Sequence, residues 1–297
     1  MSDYGKRLVI GWLLCMASGL AQAACPPAGM DRAALNRLKA DGFRVADPER
    51  RERLLLDMVD CLGDPDPAVR DGIAYEAFVQ WLRGDVDAAT LRRLLTALYR
   101  ALDAPDAEGL HASFAALVLS EVARTDHVRP WMTMEDREAM VLRAADHLQR
   151  VRDYRGFTAD VGWRHGVAHG ADWVAELGRN PALTGDQVQR LLRALATQVV
   201  PETPHAYIHG ESTRLAVAAL AVAGTHSLSR KDWQAWLQTL ASRLGPPPAD
   251  AMDADWLARR HDLGVFLMTL YVGADNDPSA EVRMLVPSIR QSIAGLP

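Results

Sequence analysis

The residues best suited to chemistry lie close together. The run Gly162-Trp163-Arg164-His165-Gly166-Val167-Ala168-His169-Gly170-Ala171-Asp172 places two histidines four apart and an aspartate three further on. Within a helix predicted over 159–179, His165, His169, Asp172 and Glu176 share one face, within about 60° of one another. Trp163, Val167, Ala171, Val174 and Leu177 take the opposite, apolar face. Two imidazoles and a carboxylate on one face suit a divalent metal, with Asp172 as third ligand. They also suit an Asp–His hydrogen bond that poises a general base. A polar stripe is equally what any surface helix carries, so a solvated or structural role stands beside these readings. Gly166 and Gly170 each cost a helix about 1 kcal/mol relative to Ala, which points to close approach by a neighbouring backbone or a ligand.

The elements that must position these residues read as helices throughout. From Asp31 onward the apolar residues recur at helical spacing, with no sustained strand alternation. Asp47-Pro48, Asp64-Pro65-Asp66-Pro67, Thr133, Thr184, Ser229 and Asp275-Asn276-Asp277-Pro278 supply N-terminal caps. Helices are predicted near 31–40, 48–63, 67–83, 87–103, 107–125, 134–151, 159–179, 185–199, 209–224, 230–245, 252–273 and 279–294. Short loops make sequential helices antiparallel neighbours. Asp66-Pro67-Ala68-Val69-Arg70-Asp71, echoed by Asp277-Pro278-Ser279-Ala280-Glu281-Val282-Arg283, has the look of a HEAT-type repeat. The expected fold is therefore all-α: a right-handed α-solenoid of stacked antiparallel helical hairpins, a HEAT- or armadillo-like superhelix.

Stacking makes the alternate helices beginning near 67, 107, 159, 209 and 252 run side by side. Their N-terminal halves then share one edge. A groove there is expected to be edged by Tyr75, Glu76, His111, Trp163, His165, His169, Asp172, Glu211 and Arg214, with Asp71 and His261 nearby. Glu211 and Arg214 are three apart and suited to an intrahelical pair. His205, His209, Gly210 and Glu211, at the start of the 209 helix, are the nearest expected neighbours of His165 and His169, although His205 and His209 fall in or beside the loop, where exposure is the default.

Several of these stretches resemble a known family. Arg155-Gly156-Phe157, Gly162-Trp163, His165, His169-Gly170-Ala171-Asp172 and Gly210-Glu211-Ser212-x-Arg214-Leu215 are similar to bacterial proteins classed as domain of unknown function 2785. Arg70-Asp71-Gly72-Ile73-Ala74-Tyr75-Glu76 and Ser113-Phe114-Ala115-Ala116-Leu117-Val118-Leu119 match as well, so the resemblance runs from about residue 50 to 240. The resemblance implies a helical fold and gives weight to those positions. It implies no reaction.

The N-terminus reads as an export signal. Lys6 and Arg7 precede an apolar run from Leu8 to Leu20, too short for the roughly 20 residues a spanning helix needs. Ala21-Gln22-Ala23 is a small-x-small cleavage site. Cleavage after Ala23 makes 1–23 a signal peptide and leaves 24–297 as a single helical domain, periplasmic or secreted, with no membrane span. Cys15 goes with the signal. Cys25 and Cys61 remain in an oxidising compartment and are expected to pair, closing a loop worth roughly 4 kcal/mol.

The chain of 297 residues has a formal net charge of -5, and Lys6, Lys39 and Lys231 are its only lysines. With no basic block, nucleic acid is an improbable partner. There is no Gly-x-Ser-x-Gly elbow and no phosphate-binding glycine loop. The leading reading is a binding module for a protein, peptide or small ligand, with no cofactor required and no catalysis implied. A metal-dependent hydrolase with His165 and His169 as ligands is the first alternative. A structural protein that buries the same residues as a polar network is the second.

Overall fold

Capping chemistry sets where the helices begin. The structure, a computed structural model, describes residues 25–249 and 253–297. The export signal, its cleavage site after Ala23 and Cys15 lie outside the described residues. Asp31 caps α1 (Arg32–Ala40), and Asp47, followed by proline, caps α2 (Pro48–Asp57). A 3-10 turn (Asp60–Gly63) leads to α3 (Pro67–Val69), capped by Asp66. A π-helical stretch (Arg70–Tyr75) joins α3 to α4 (Glu76–Leu82). Then come α5 (Ala88–Asp103), α6 (His111–Val128) and α7 (Met134–Arg150). A short antiparallel hairpin, β1 (Phe157–Thr158) and β2 (Gly162–Trp163), precedes α8 (Gly166–Gly178). The chain continues through α9 (Gly185–Val199), α10 (Glu211–Ala223), α11 (Arg230–Leu244) and α12 (Ala254–Asp275). It ends with α13 (Ala280–Arg283) and α14 (Val286–Ala294). Thr133–Asp136, Thr184–Gln187 and Ser229–Asp232 form reciprocal capping boxes that satisfy two backbone donors at each helix start.

The protein is all-α apart from this hairpin, among the described residues. In one row α4 packs on α6, α6 on α8, α8 on α10 and α10 on α12. Between them α5, α7, α9 and α11 pack against their sequence neighbours, and α7 on α9 and α9 on α11 form a second set of contacts. Gly178 permits the closest of these approaches: a Cβ there would sit 2.8 Å from the backbone nitrogen of Val222, so α8 and α10 touch backbone to backbone. A continuous core of Leu, Val and Ala, with Trp173, Phe78 and Phe266 fully enclosed, runs through both sets.

The helix expected over 159–179 is corrected. Residues 157–163 pair as a hairpin, in register Phe157 with Trp163 and Thr158 with Gly162, and Arg164 N–H extends the ladder to the Gly156 carbonyl at 2.8 Å. Gly162 turns with φ 73°, a left-handed conformation that only glycine adopts freely. Trp163 therefore does not lie on an apolar helix face. The helix expected over 48–63 stops at Asp57, and that over 279–294 breaks at Met284 and Leu285. Cys25 and Cys61 are joined as expected, tying the start of the described chain to the 3-10 turn after α2. No helix among the described residues is long and apolar enough to cross a membrane.

Candidate functional site

Two buried arginines hold the hairpin in place. Arg70, wholly buried in the π-helical stretch, donates to the carbonyls of Asp64 at 3.0 Å, Val161 at 2.8 Å and Trp163 at 3.3 Å. Its Nε lies 2.7 Å from the Asp71 carboxylate, and its guanidinium sits 4.7 Å over the Phe114 ring. Burial draws the Arg70 pKa down and pushes that of Asp71 up, each opposed by the attraction between them. Arg164 grips the other side. It donates to the Glu108 carbonyl at 2.9 Å and to Thr158 Oγ1 at 2.7 Å, and it pairs with the Glu108 carboxylate at 3.3 Å. The planar fork of arginine suits both positions, because each must reach several acceptors at once.

The hairpin presses onto the start of α10, and a glycine allows it. A Cβ on Gly156 would strike the His209 ring and come within 2.9 Å of Glu211 Oε1. Beyond the hairpin, His165 forms the first boundary of α8 with φ 53° and ψ 36°. This left-handed conformation disfavours any residue with a Cβ, and His165 makes no side-chain cap in return. What the conformation does achieve is placement. The His165 Nε2 atom comes 4.0 Å from Glu211 Oε1, and His209 Nδ1 lies 4.0 Å from the same oxygen. The other oxygen accepts the His209 backbone N–H at 3.0 Å. Glu211 is only 2% exposed, so two imidazoles cover a buried carboxylate. Gly210, itself left-handed at φ 92°, starts α10 and delivers Glu211 to this edge.

Aromatic rings wall the cluster. The Trp163 ring centroid is 4.2 Å from that of His165 and 5.9 Å from that of His209, while Phe157 meets Trp163 edge-on at 4.9 Å. Phe157 and Trp163 are 48% and 39% exposed, which leaves an apolar surface beside the acidic centre. Burial lowers the pKa of His165, with Glu211 opposing and Arg214 and His209 reinforcing the shift.

His169 belongs to a different network. Ser113 Oγ has one proton, and the Arg164 carbonyl, an acceptor only, takes it. The 2.9 Å contact between Ser113 Oγ and His169 Nδ1 must then be donated by the imidazole. Burial pushes His169 down to about 3, so the ring is neutral near pH 7. It packs edge-on against Phe114 at 4.9 Å, and its centroid is 5.8 Å from that of His165.

The remaining predicted residues divide. Asp172 pairs with Arg214 from α10, across helices, which replaces the expected Glu211–Arg214 pair. Burial raises Asp172 while Arg214 pulls it back. Tyr75 lies within the field of both, its phenol pushed up to about 12 mainly by burial. Glu76 instead pairs with Lys39 at 3.1 Å, towards α1, and His111 Nε2 contacts the Val59 carbonyl at 3.0 Å, so neither joins the cluster. His261 neighbours Asp262 at 3.2 Å, and His205 stacks on Tyr154 at 5.3 Å. His165, His169 and Asp172 do not converge on one point. Among the described residues no group of three or more His, Cys, Asp or Glu is arranged to hold a metal ion.

Arg164 and Ile208 were not singled out by sequence, while Gly156 and Phe157 entered only through the family resemblance, and Arg70 through that and the HEAT-type run, with no role assigned. The signal for the hairpin was present: Phe157-Thr158 and Val161-Gly162-Trp163, with Ala159-Asp160 at the turn, carry the aromatic, β-branched and turn residues that strands prefer. A separate cavity of about 360 Å³ lies beside Ser113 and Arg164, lined also by Leu102, His147, Arg150 and Arg152. It includes neither His165 nor Glu211.

Neither a curated protein nor a solved structure matches this chain. A match to a protein family does exist, and it spans residues 98–272, more than half of the chain and the whole stretch from Ser113 through the hairpin to Glu211 and Arg214. Of the stretches that resembled the family, 113–119, 155–157, 162–172 and 210–215 lie within the match and 70–76 lies before it; the chain belongs to the family described as protein of unknown function (DUF2785).

Proposed function

We propose that the protein is an exported binding module, a right-handed α-solenoid that takes a ligand in the cleft of Trp163, His165, His209 and Glu211. The observation that carries this reading is the buried Glu211 carboxylate. It faces two imidazoles rather than a lysine or arginine, beside the exposed rings of Phe157 and Trp163. A structural network gains nothing from a left-handed histidine whose Nε2 is buried without a hydrogen-bond partner. The packing of α4, α6, α8, α10 and α12 in sequence supports the solenoid reading. The Cys25–Cys61 bond supports export.

Binding fits better than nucleophilic catalysis. The hydroxyl in contact with an imidazole of this site, Ser113, has already committed its proton to a backbone carbonyl. The Asp172–Arg214 pair and the Ser113–His169 bond join α6, α8 and α10 and serve to hold the cleft in shape. A fragment screen read by NMR tests the proposal, following the His165 and His209 ring signals and the Trp163 indole N–H. Hits are expected to collect at these three residues and to be lost in Trp163→Ala. Hits confined to the cavity beside Arg150 and Arg152 would refute it.

A further inference from the structure

Four arginines around the hairpin each face a carboxylate: Arg70 faces Asp71, Arg155 faces Asp153, Arg164 faces Glu108 and Arg214 faces Asp172. The buried Glu211 faces none of them. Among the described residues no lysine or arginine nitrogen lies within 4 Å of its carboxylate, and its basic neighbours at that distance are His165 and His209. A buried carboxylate ordinarily demands a cation or several hydrogen-bond donors, and this one has a single backbone donor. The cluster therefore holds a buried carboxylate with no lysine or arginine partner, beside an exposed aromatic surface.

We infer that the ligand of this cleft presents a positively charged nitrogen, an ammonium or guanidinium, on an apolar stem. The inference rests on the binding reading above and specifies its chemistry. The nitrogen sits against the exposed part of Trp163, where the ring quadrupole attracts it and the Glu211 carboxylate lies behind the imidazoles. The stem lies on Phe157, whose exposed apolar surface otherwise faces water. His209, with 29% of its side chain exposed and its Nδ1 4.0 Å from Glu211 Oε1, stands between the ligand and Glu211 and can accept from the ligand. Burial draws the His165 pKa down, with Glu211 opposing. A free amine and a basic side chain of a peptide share this chemistry.

The test uses four probes with one stem: n-butylammonium, n-butylguanidinium, n-butanol and butyrate. Each is titrated into the mature protein while the His165, His209 and Trp163 NMR signals are followed. The cations are expected to bind at least about tenfold more tightly than butanol or butyrate. Glu211→Gln removes that preference. Trp163→Leu, which keeps an apolar contact without the ring, weakens the cations severalfold and leaves butanol unchanged, so the test stands even where Glu211→Gln disturbs folding. Acetyl-Gly-Arg-Gly-amide binding tighter than butylguanidinium supports a peptide as the source of the cation, and weaker binding supports a free amine. Butanol or butyrate binding the cleft as well as the cations overturns the inference but leaves the cleft intact as a binding site. No response at the three residues to any probe overturns both.

Discussion

Replacing His165 by glycine and by alanine gives opposite results depending on whether the backbone strain at this position is real. Both variants delete the imidazole, so they lose equally its burial, its contact with Trp163 at 4.2 Å and its place over Glu211. They differ in the backbone. At φ 53° and ψ 36°, a residue with a Cβ bears about 1–2 kcal/mol of strain, and glycine bears almost none. Against this, glycine gains about 0.5–1 kcal/mol more entropy than alanine on unfolding. The two terms leave His165→Gly more stable than His165→Ala by about 0.5–1 kcal/mol, the reverse of their order at a normal helical position. Relative to the parent protein, alanine costs about 2 kcal/mol and glycine about 1, as the relieved strain offsets much of the lost ring packing. Urea unfolding of the disulfide-intact protein measures the difference, with the midpoint for glycine above that for alanine by roughly 0.2–0.4 M. Alanine equal to or above glycine would mean that His165 is not held left-handed, and the placement of its ring over Glu211 would fall with it.

Other perturbations probe the networks around the cleft. His169 is held neutral, its pKa lowered to about 3 from 6.5, so the unfolded chain binds the extra proton between these values. Stability present above pH 6.5 is therefore lost as pH falls towards 3, by on the order of 4 kcal/mol from this group. His169→Asn, which keeps a donor towards Ser113 without a titrating ring, should flatten that loss, leaving the share due to His147, which burial lowers to about 4; an unchanged pH profile by circular dichroism would refute this. Arg70→Lys leaves the carbonyls of Val161 and Trp163 without their forked donor and should cost about 3 kcal/mol, with a red shift of Trp163 emission as the hairpin loosens. A thermal melt unchanged within a degree would show that the hairpin does not depend on it. Replacing Cys25 and Cys61 together by alanine opens a link across 36 residues and should remove about 4 kcal/mol, or roughly 8–15 °C of melting temperature. A loss under 2 °C would place the stabilisation elsewhere.

Helix existence was legible because it depends on local chemistry. Asp47, Thr133, Thr184 and Ser229 each sit where a helix start needs an acceptor, and each caps one. The adjacency of α6, α8 and α10 was legible too, since short loops leave antiparallel packing as the economical arrangement. The hairpin was legible only in residue type, at Phe157, Thr158, Val161 and Trp163, because its stability is tertiary. Strands of two residues have no periodicity to read, and Arg70 supports them from 91 and 93 residues away. Nor could spacing distinguish Arg214 pairing with Glu211, three residues away, from Arg214 pairing with Asp172 on α8. Helical neighbours at i and i+3 are always available, but here Glu211 turns to His165 and His209 and leaves Arg214 to Asp172.

The histidine spacing shows how a local pattern can be right in distance and wrong in direction. His169 N–H does bond the His165 carbonyl at 2.9 Å, one helical turn as the sequence implies. Yet His165 lies at the left-handed boundary and His169 inside α8, so their side chains leave the backbone along different directions. One ring goes inward to Ser113 and Phe114, where burial removes its charge. The other goes across to Glu211, a residue that only the contact of α8 with α10 brings near. A metal ligand pair needs both rings aimed at one point, and this backbone aims them at two. What the same backbone makes is a division of work. His169 fastens α8 to α6, and that fixed helix start holds His165 over a carboxylate that, among the described residues, has no lysine or arginine nitrogen within 4 Å. On the binding proposal a cationic ligand meets that carboxylate beside an aromatic wall, so Glu211→Gln should cost affinity while loss of the His169 bond costs stability first.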